Sequence, residues 1–278
     1  MNAMGQPEIV GHRGSREGTY EHTLGAFTRA IADGADALEC DIRLTADGHL
    51  VCLHDRRLDF VSGQRGLVSS MTLAELRDVR FGARRPWRTA DRWRGGRPVA
   101  PPTDAEPDDT RLTTLRELLE LVADAGRPVG LLIEIKHPTR YGGLTEARLV
   151  ELLTEFGLAR RAPGADGRPA VRVMSFAEAS MRRMRRLASD LDLVYLMGRL
   201  PRRYRDGSLP AGVSWTGISK DIVRADPGYV ARAHAKGHAV NVWTVNEPDD
   251  VQRCLDAGVD TITTDRPRAV RALVFAPR

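Results

Sequence analysis

Apolar residues along this chain fall into two alternating patterns. Short unbroken runs occur at Ile9-Val10, Ala37–Arg43, Leu50–Leu53, Val129–Lys136, Val171–Phe176, Leu193–Met197, Val213–Ser219, Ala239–Val245 and Thr261–Thr264. Between most of them lie longer stretches with apolar residues every three or four positions, at 22–33, 113–125, 144–156, 177–191, 226–237, 246–258 and 269–275. An unbroken run of four to eight residues is a strand buried on both faces, and the longer period is that of a helix with one apolar face. The helical stretches carry end signals: Gly34 and Gly126 close two of them, and "DPGYVARAHAKG" has an N-cap aspartate, a proline at N1 and a closing glycine. Strand–helix alternation of this kind predicts a parallel sheet, and about eight such units favour a closed (β/α)8 barrel of the TIM type over an open, doubly wound sheet. Leu50–Leu53 reads as a short hairpin-like addition to the second unit.

The segment from about 56 to 111 is too long for a loop between strand and helix and predicts an insertion after the second unit, within one barrel domain spanning 1–278. Its densest part, Arg77–Arg97, holds eight arginines together with Trp87 and Trp93, and the acidic stretch Asp104–Asp109 follows within "PPTDAEPDD". The whole chain has a net charge of +5, yet only three of its 42 basic residues are lysines, a bias that points to compositional habit more than to a binding face. The insertion is read as a solvated element, and no nucleic-acid partner is expected. No run of eighteen apolar residues predicts a membrane span. Three scattered cysteines, Cys40, Cys52 and Cys254, form neither a disulfide framework nor a metal motif, which fits a reducing cytoplasm. Nothing in the sequence sets the oligomeric state.

Barrel chemistry gathers at the C-terminal ends of the strands. The polar residues that interrupt or end the apolar runs fall there: His12 and Arg13, Glu39 and Asp41, His54, Glu134 and Lys136, Trp243, and Asp265. Strand side chains alternate, so Glu39 and Asp41 share one face and Glu134 and Lys136 share another. With those faces turned inward, three carboxylates converge on one lumen. A single buried carboxylate is explained by a salt bridge. Three of them need a counter-charge, and a hard divalent cation suits an all-oxygen donor set. Lys136, one of the few lysines, lies inside an apolar strand, and with Arg13 offers donors for phosphate oxygens. Histidine is the side-chain type suited to serve as general acid or general base near neutral pH, which makes His12 and His54 candidates for those roles. Cation, donors and imidazoles together describe phosphoester hydrolysis.

Read in order, "GHRG" (11–14), "YEHTLGAF" (20–27), "GADALECDIRLTADGHLVCLHD" (34–55), "LIEIK" (132–136), "NVWTVNEP" (241–248) and "GVDTITTDRP" (258–267) resemble the glycerophosphodiester phosphodiesterase family over nearly the whole chain. The resemblance implies a barrel with an insertion after the second unit. It also implies Mg²⁺ or Ca²⁺ held by Glu39, Asp41 and Glu134, with His12 and His54 as the acid–base pair. Arg13 and Lys136 match phosphate contacts, and Trp243 an aromatic wall beside the alcohol. The substrate class it implies is a small-molecule glycerophosphodiester, cleaved to sn-glycerol 3-phosphate and an alcohol. The attacking group, water or the glycerol 2-hydroxyl, is left open, as is the division of labour between the histidines. His22 stands where the family usually has asparagine, and Phe60-Val61-Ser62 departs from its usual Arg-Thr-Thr. Three other functions compete: a phospholipase D-like phosphotransferase acting on lysolipids, a catalytically silent phosphodiester binder, and a nucleic-acid or membrane-binding module built on the arginine-rich insertion.

Overall fold

A computed structural model describes residues 5–60, 62, 64–79, 81, 110–160 and 171–276. Eight parallel strands close on themselves: β1 (Glu8–His12), β2 (Ala37–Leu44), β4 (Gly130–Ile135), β5 (Val171–Ser175), β6 (Asp192–Met197), β7 (Trp215–Ser219), β8 (Ala239–Trp243) and β9 (Thr261–Thr264), with β9 returning to pair with β1. The short β3 (Leu50–Cys52) runs antiparallel to β2. This is the expected (β/α)8 barrel, with the expected addition on its second unit.

Helices α1 (Leu24–Ala32), α3 (Leu115–Ala123), α4 (Leu144–Glu155), α5 (Glu178–Leu187), α6 (Lys220–Ala225), α7 (Tyr229–Ala235), α8 (Pro248–Ala257) and α9 (Pro267–Val274) lie outside the strands, and α2 (Leu73–Arg77) belongs to the segment after β3. The Thr114 side chain accepts the Glu117 amide while Glu117 reaches back to the Thr114 amide, a capping box that fixes the start of α3. Pro248 opens α8 and Gly258, at φ 71°, closes it. Three details differ from the pattern reading. The first helix starts at Leu24, not at residue 22, because His22 adopts a left-handed conformation and Thr23 provides the cap. The 226–237 stretch begins its helix only at Tyr229, since Pro227-Gly228 forms a turn. The six-residue α6 is too short to reveal a period. Between β6 and β7 the described elements include only a 3₁₀ turn, Arg202–Tyr204.

Strand alternation divides the core into two. Ile9, Leu38, Cys40, Ile42, Ile133, Val173, Leu193 and Val240 face the helices in the main apolar layer. Val10, Ala37, Leu132, Met174, Val194 and Leu196 fill the barrel lumen, with Trp215 and Trp243 packed against them. A third cluster, Val51, Leu53, Leu58, Val68, Leu76, Val79, Phe81 and Leu112, joins β3 to the described part of the 56–111 segment. The rest of that segment, with Trp87, Trp93 and the acidic stretch, lies outside the described residues.

The N-terminal floor of the lumen is ionic. Arg172 on β5 is 1% exposed, pairs with Glu8 on β1 and stacks 4.4 Å above the Trp215 ring centroid. Removing one partner strands a buried charge, which costs about 3–5 kcal/mol. Arg172→Met is therefore expected to lower the melting temperature by on the order of 10 °C. Because barrel chemistry is expected at the opposite, C-terminal end of the strands, kcat should stay close to wild type. Thermal unfolding followed by circular dichroism, with a parallel rate assay, checks both.

Candidate active site

The motif "GHRG" ends β1 and turns the chain back over the barrel mouth. A Cβ on Gly14, at φ 92°, would stand 2.5 Å from the Ala26 backbone carbon, so this turn packs on α1 only as glycine. His12 ends β1 in register with Glu39, and Asp41 lies in register with Glu134 across the β2–β4 pair. All three carboxylates share the lumen face with Ala37 and Leu132, and each offers an oxygen within 4.8 Å of the others. All three are buried.

Two cations accompany them. Lys136 Nζ stands 2.9 Å from Asp41 Oδ1 and 2.8 Å from Glu134 Oε1. The Arg13 amide donates to Glu39 Oε2 at 3.0 Å, its Nη1 donates to Glu21 Oε1 at 3.0 Å, and its Nε lies 3.0 Å from Asp41 Oδ2 without hydrogen-bond alignment. Burial opposes the charge on both, but Glu21 and Asp41 outweigh it for Arg13, as Asp41 and Glu134 do for Lys136, so both pKa values rise. Burial, with Asp41 beside it, pushes Glu39 well up from its ordinary value. It also pushes Glu134 up to about 7, with Asp41 adding to the effect against Lys136. Burial acts on Asp41 too, but Lys136 and Arg13 prevail and hold it down. Three acids with two raised are a site short of positive charge.

The donor set fits a divalent cation. It is all oxygen, it converges, and Asp41 Oδ2 is buried with no hydrogen bond among the described residues. Glu39, Asp41 and Glu134 are the residues that would hold it.

Each candidate histidine bonds a carboxylate through Nδ1, which leaves Nε2 free to exchange a proton. His12 Nδ1 lies 2.7 Å from Asp265 Oδ1, and Asn246 Nδ2 donates to the other Asp265 oxygen at 2.7 Å. Asn246 Oδ1 accepts the Asp265 amide at 2.9 Å, so the carboxylate is held at side chain and backbone alike. Burial works against the Asp265 charge, but the His12 hydrogen bond and the charges of His12 and Arg16 keep it ionised far below the usual range. His54 Nδ1 lies 3.1 Å from Asp55 Oδ1, and its carbonyl accepts from Arg43 Nε at 2.9 Å. Burial, then the Arg13 charge, lowers the His54 pKa. Trp243 ends β8, and its ring meets Phe176 edge-on at 5.6 Å between centroids, across two intervening strands.

The structure thus brings His12, Arg13, Glu39, Asp41, His54, Glu134, Lys136 and Trp243 to one end of the barrel. Sequence reasoning gave Glu21 and Asn246 no role, noted His22 only as a departure from the family's asparagine, and gave Asp265 a place without a partner. Asn246 is the most legible in retrospect, since a polar residue follows the β8 run within "NVWTVNEP".

Fold and mouth together define a (β/α)8-barrel enzyme. Comparison with known proteins gives its family: the profile of the glycerophosphoryl diester phosphodiesterase family matches residues 12–269. The chain is 44% identical over 269 residues to "probable glycerophosphodiester phosphodiesterase 1" of Mycobacterium tuberculosis, covering 96% of this chain and 92% of that one. It is 30% identical over 269 residues to the glycerophosphodiester phosphodiesterase of Caldanaerobacter subterraneus, covering 96% and 97%. Among solved structures, an Oleispira antarctica phosphodiesterase in complex with the product sn-glycerol-3-phosphate matches with a TM-score of 0.77 at 22% identity, covering 97% of each chain. A glycerophosphodiester phosphodiesterase from Parabacteroides distasonis matches with a TM-score of 0.74 at 23% identity, again over 97% of each chain. The chain belongs to the glycerophosphoryl diester phosphodiesterase family.

Proposed function

We propose that the protein hydrolyses small glycerophosphodiesters to sn-glycerol 3-phosphate and an alcohol, with a divalent cation, Mg²⁺ or Ca²⁺, and with His12 and His54 as its acid–base pair. The observation that carries this reading is the convergence of Glu39, Asp41 and Glu134 within 4.8 Å beside Arg13 and Lys136. A cation bound there supplies Lewis-acid polarisation of a phosphoryl oxygen and compensation of developing negative charge. Arg13 and Lys136 take the remaining phosphoryl oxygens, since both keep their charge when buried and both already face the carboxylate cluster. One imidazole removes a proton from the attacking hydroxyl or water while the other protonates the departing alkoxide. Asp265 and Asp55 hold the two rings with Nε2 available for those transfers. Trp243 and Phe176 offer the apolar wall along which the carbon skeleton lies.

The three cysteines are buried and unpaired, which supports work in a reducing compartment such as the cytoplasm. No helix among the described residues is long and apolar enough to cross a membrane. The test is product identity: ³¹P NMR of glycerophosphocholine and glycerophosphoethanolamine incubated with the protein and Mg²⁺ or Ca²⁺. Glycerol 3-phosphate as the final phosphorus product is expected. Cyclic phosphate accumulating as the end product, or intact diester, contradicts the assignment.

A further inference from the structure

Among the described residues, Arg13 at φ 57° and His22 at φ 61° are the two non-glycine positions in the left-handed region. A side chain with a Cβ is disfavoured there and persists only where the surroundings fix it. The two are linked, because the His22 amide donates to the Arg13 carbonyl at 3.0 Å. The Arg13 amide still donates to the Glu39 carbonyl at 3.1 Å, the last rung of the β1–β2 ladder. In a parallel ladder the next rung would run from the Asp41 amide to the Arg13 carbonyl. That carbonyl is taken by His22, and the Asp41 amide donates instead to His22 Nε2 at 3.1 Å. His22 thus stands in for one rung with two hydrogen bonds, one from its backbone and one to its ring.

The consequence falls on the carboxylate. An Nε2 that accepts an amide proton carries a lone pair and has nothing to donate. It lies 3.4 Å from Asp41 Oδ2, so it satisfies the Asp41 backbone without engaging that oxygen. The His22 ring is 3% exposed and packs 6.3 Å from the Phe27 ring, which leaves it little room to turn away.

We infer that His22 is a positioning residue for the cation site: as an acceptor only, it anchors the Asp41 backbone at the barrel mouth and leaves Asp41 Oδ2, which Arg13 Nε faces at 3.0 Å, without a hydrogen bond that would compete with the cation. This rests on the proposed role of Glu39, Asp41 and Glu134 as the cation's ligands. Outer-shell partners of metal ligands change affinity by about 10–100-fold when removed.

The test is Mn²⁺ titration of the EDTA-stripped full-length protein by calorimetry, with wild type, His22→Gly and His22→Gln. Glycine accepts φ 61° without strain and lacks the acceptor, so its Mn²⁺ Kd is expected to rise about 10–100-fold while its circular dichroism stays unchanged. Glutamine places its Oε1 where the imidazole has Nε2, on a backbone no more strained than that of histidine, so its Kd should stay within about threefold of wild type. At saturating Mn²⁺ the glycine variant should regain most of its kcat. Wild-type affinity in His22→Gly overturns the inference, as does His22→Gln binding as weakly as His22→Gly. Failure of the wild-type protein itself to bind Mn²⁺ would overturn the cation reading, and this inference with it.

Discussion

Replacing His12 with alanine is expected to lower kcat by about 10²–10⁴-fold, the usual contribution of a positioned proton-transfer group, and His54→Ala should fall in the same range. The two losses should not add. When acid and base act in one transition state, the double variant is only slightly slower than the worse single one. Asp265→Asn should cost up to about 10⁴-fold, comparable to His12→Ala, because Asn246 Nδ2 already donates to one Asp265 oxygen, so the new amide NH₂ would face His12 Nδ1 and hold the ring in the wrong tautomer. With the pair intact, kcat/KM should be bell-shaped in pH. The base must shed its proton on the acid limb, and the acid must keep one on the alkaline limb. A profile flat across neutrality, or single variants within a few-fold of wild type, would remove the histidines from the chemistry.

Glu39→Gln should have two opposite effects. Activity should fall by about 10³-fold or more, since a cation's several kcal/mol of charge stabilisation goes with its ligand. The metal-free protein should nonetheless become more stable, by about 1–2 kcal/mol, because a carboxyl whose ionisation is opposed by burial and by Asp41 is replaced by a neutral amide. The sign follows from linkage. Glu39 and Glu134 have folded pKa values above the ordinary carboxylate value, so the native state binds more protons than the unfolded one as pH rises. Their contribution to metal-free stability is therefore fully present below the ordinary carboxylate value and is lost as pH rises through the Glu134 step at about 7, whereas His22 and His54, whose pKa values burial lowers, contribute stability that is lost as pH falls below the ordinary imidazole value. Asp41 acts in the other direction and only on acidification, as its lowered pKa keeps it ionised until the pH falls below the ordinary range. Urea titrations at several pH values, with and without Mg²⁺, check this. Added cation should flatten the fall above neutrality, and Glu39→Gln should be less affected by Mg²⁺.

Much of this architecture is visible in the residue pattern because the eight barrel strands are buried on both faces. Runs such as "VGLLIEIK" then have no reason to hold a carboxylate and a lysine except at a site. Glu39, Asp41 and Glu134 stand out for the same reason. Partnerships are another matter. His12 and Asp265 lie 253 residues apart and meet only because β9 closes the barrel onto β1. Nothing local in "TITTD" says which strand its aspartate will face. His22 is hidden differently, since in sequence it reads as the first residue of a helix. Its part in the β1–β2 ladder depends on a left-handed backbone that the residue type does not announce. The segment after β3 shows its apolar half, which packs on Val51 and Leu53, whereas the arginine-rich stretch follows no core period.

The proposed activity depends most directly on a cation held by Glu39, Asp41 and Glu134. The decisive measurement is the rate of sn-glycerol 3-phosphate release from glycerophosphocholine by EDTA-treated protein, before and after addition of Mg²⁺ or Ca²⁺, beside Glu39→Ala. The predicted result is turnover that vanishes with EDTA, returns with one of the two cations and stays absent in the variant. Turnover indifferent to EDTA, or a Glu39→Ala protein that the cation restores to the wild-type rate, would contradict it.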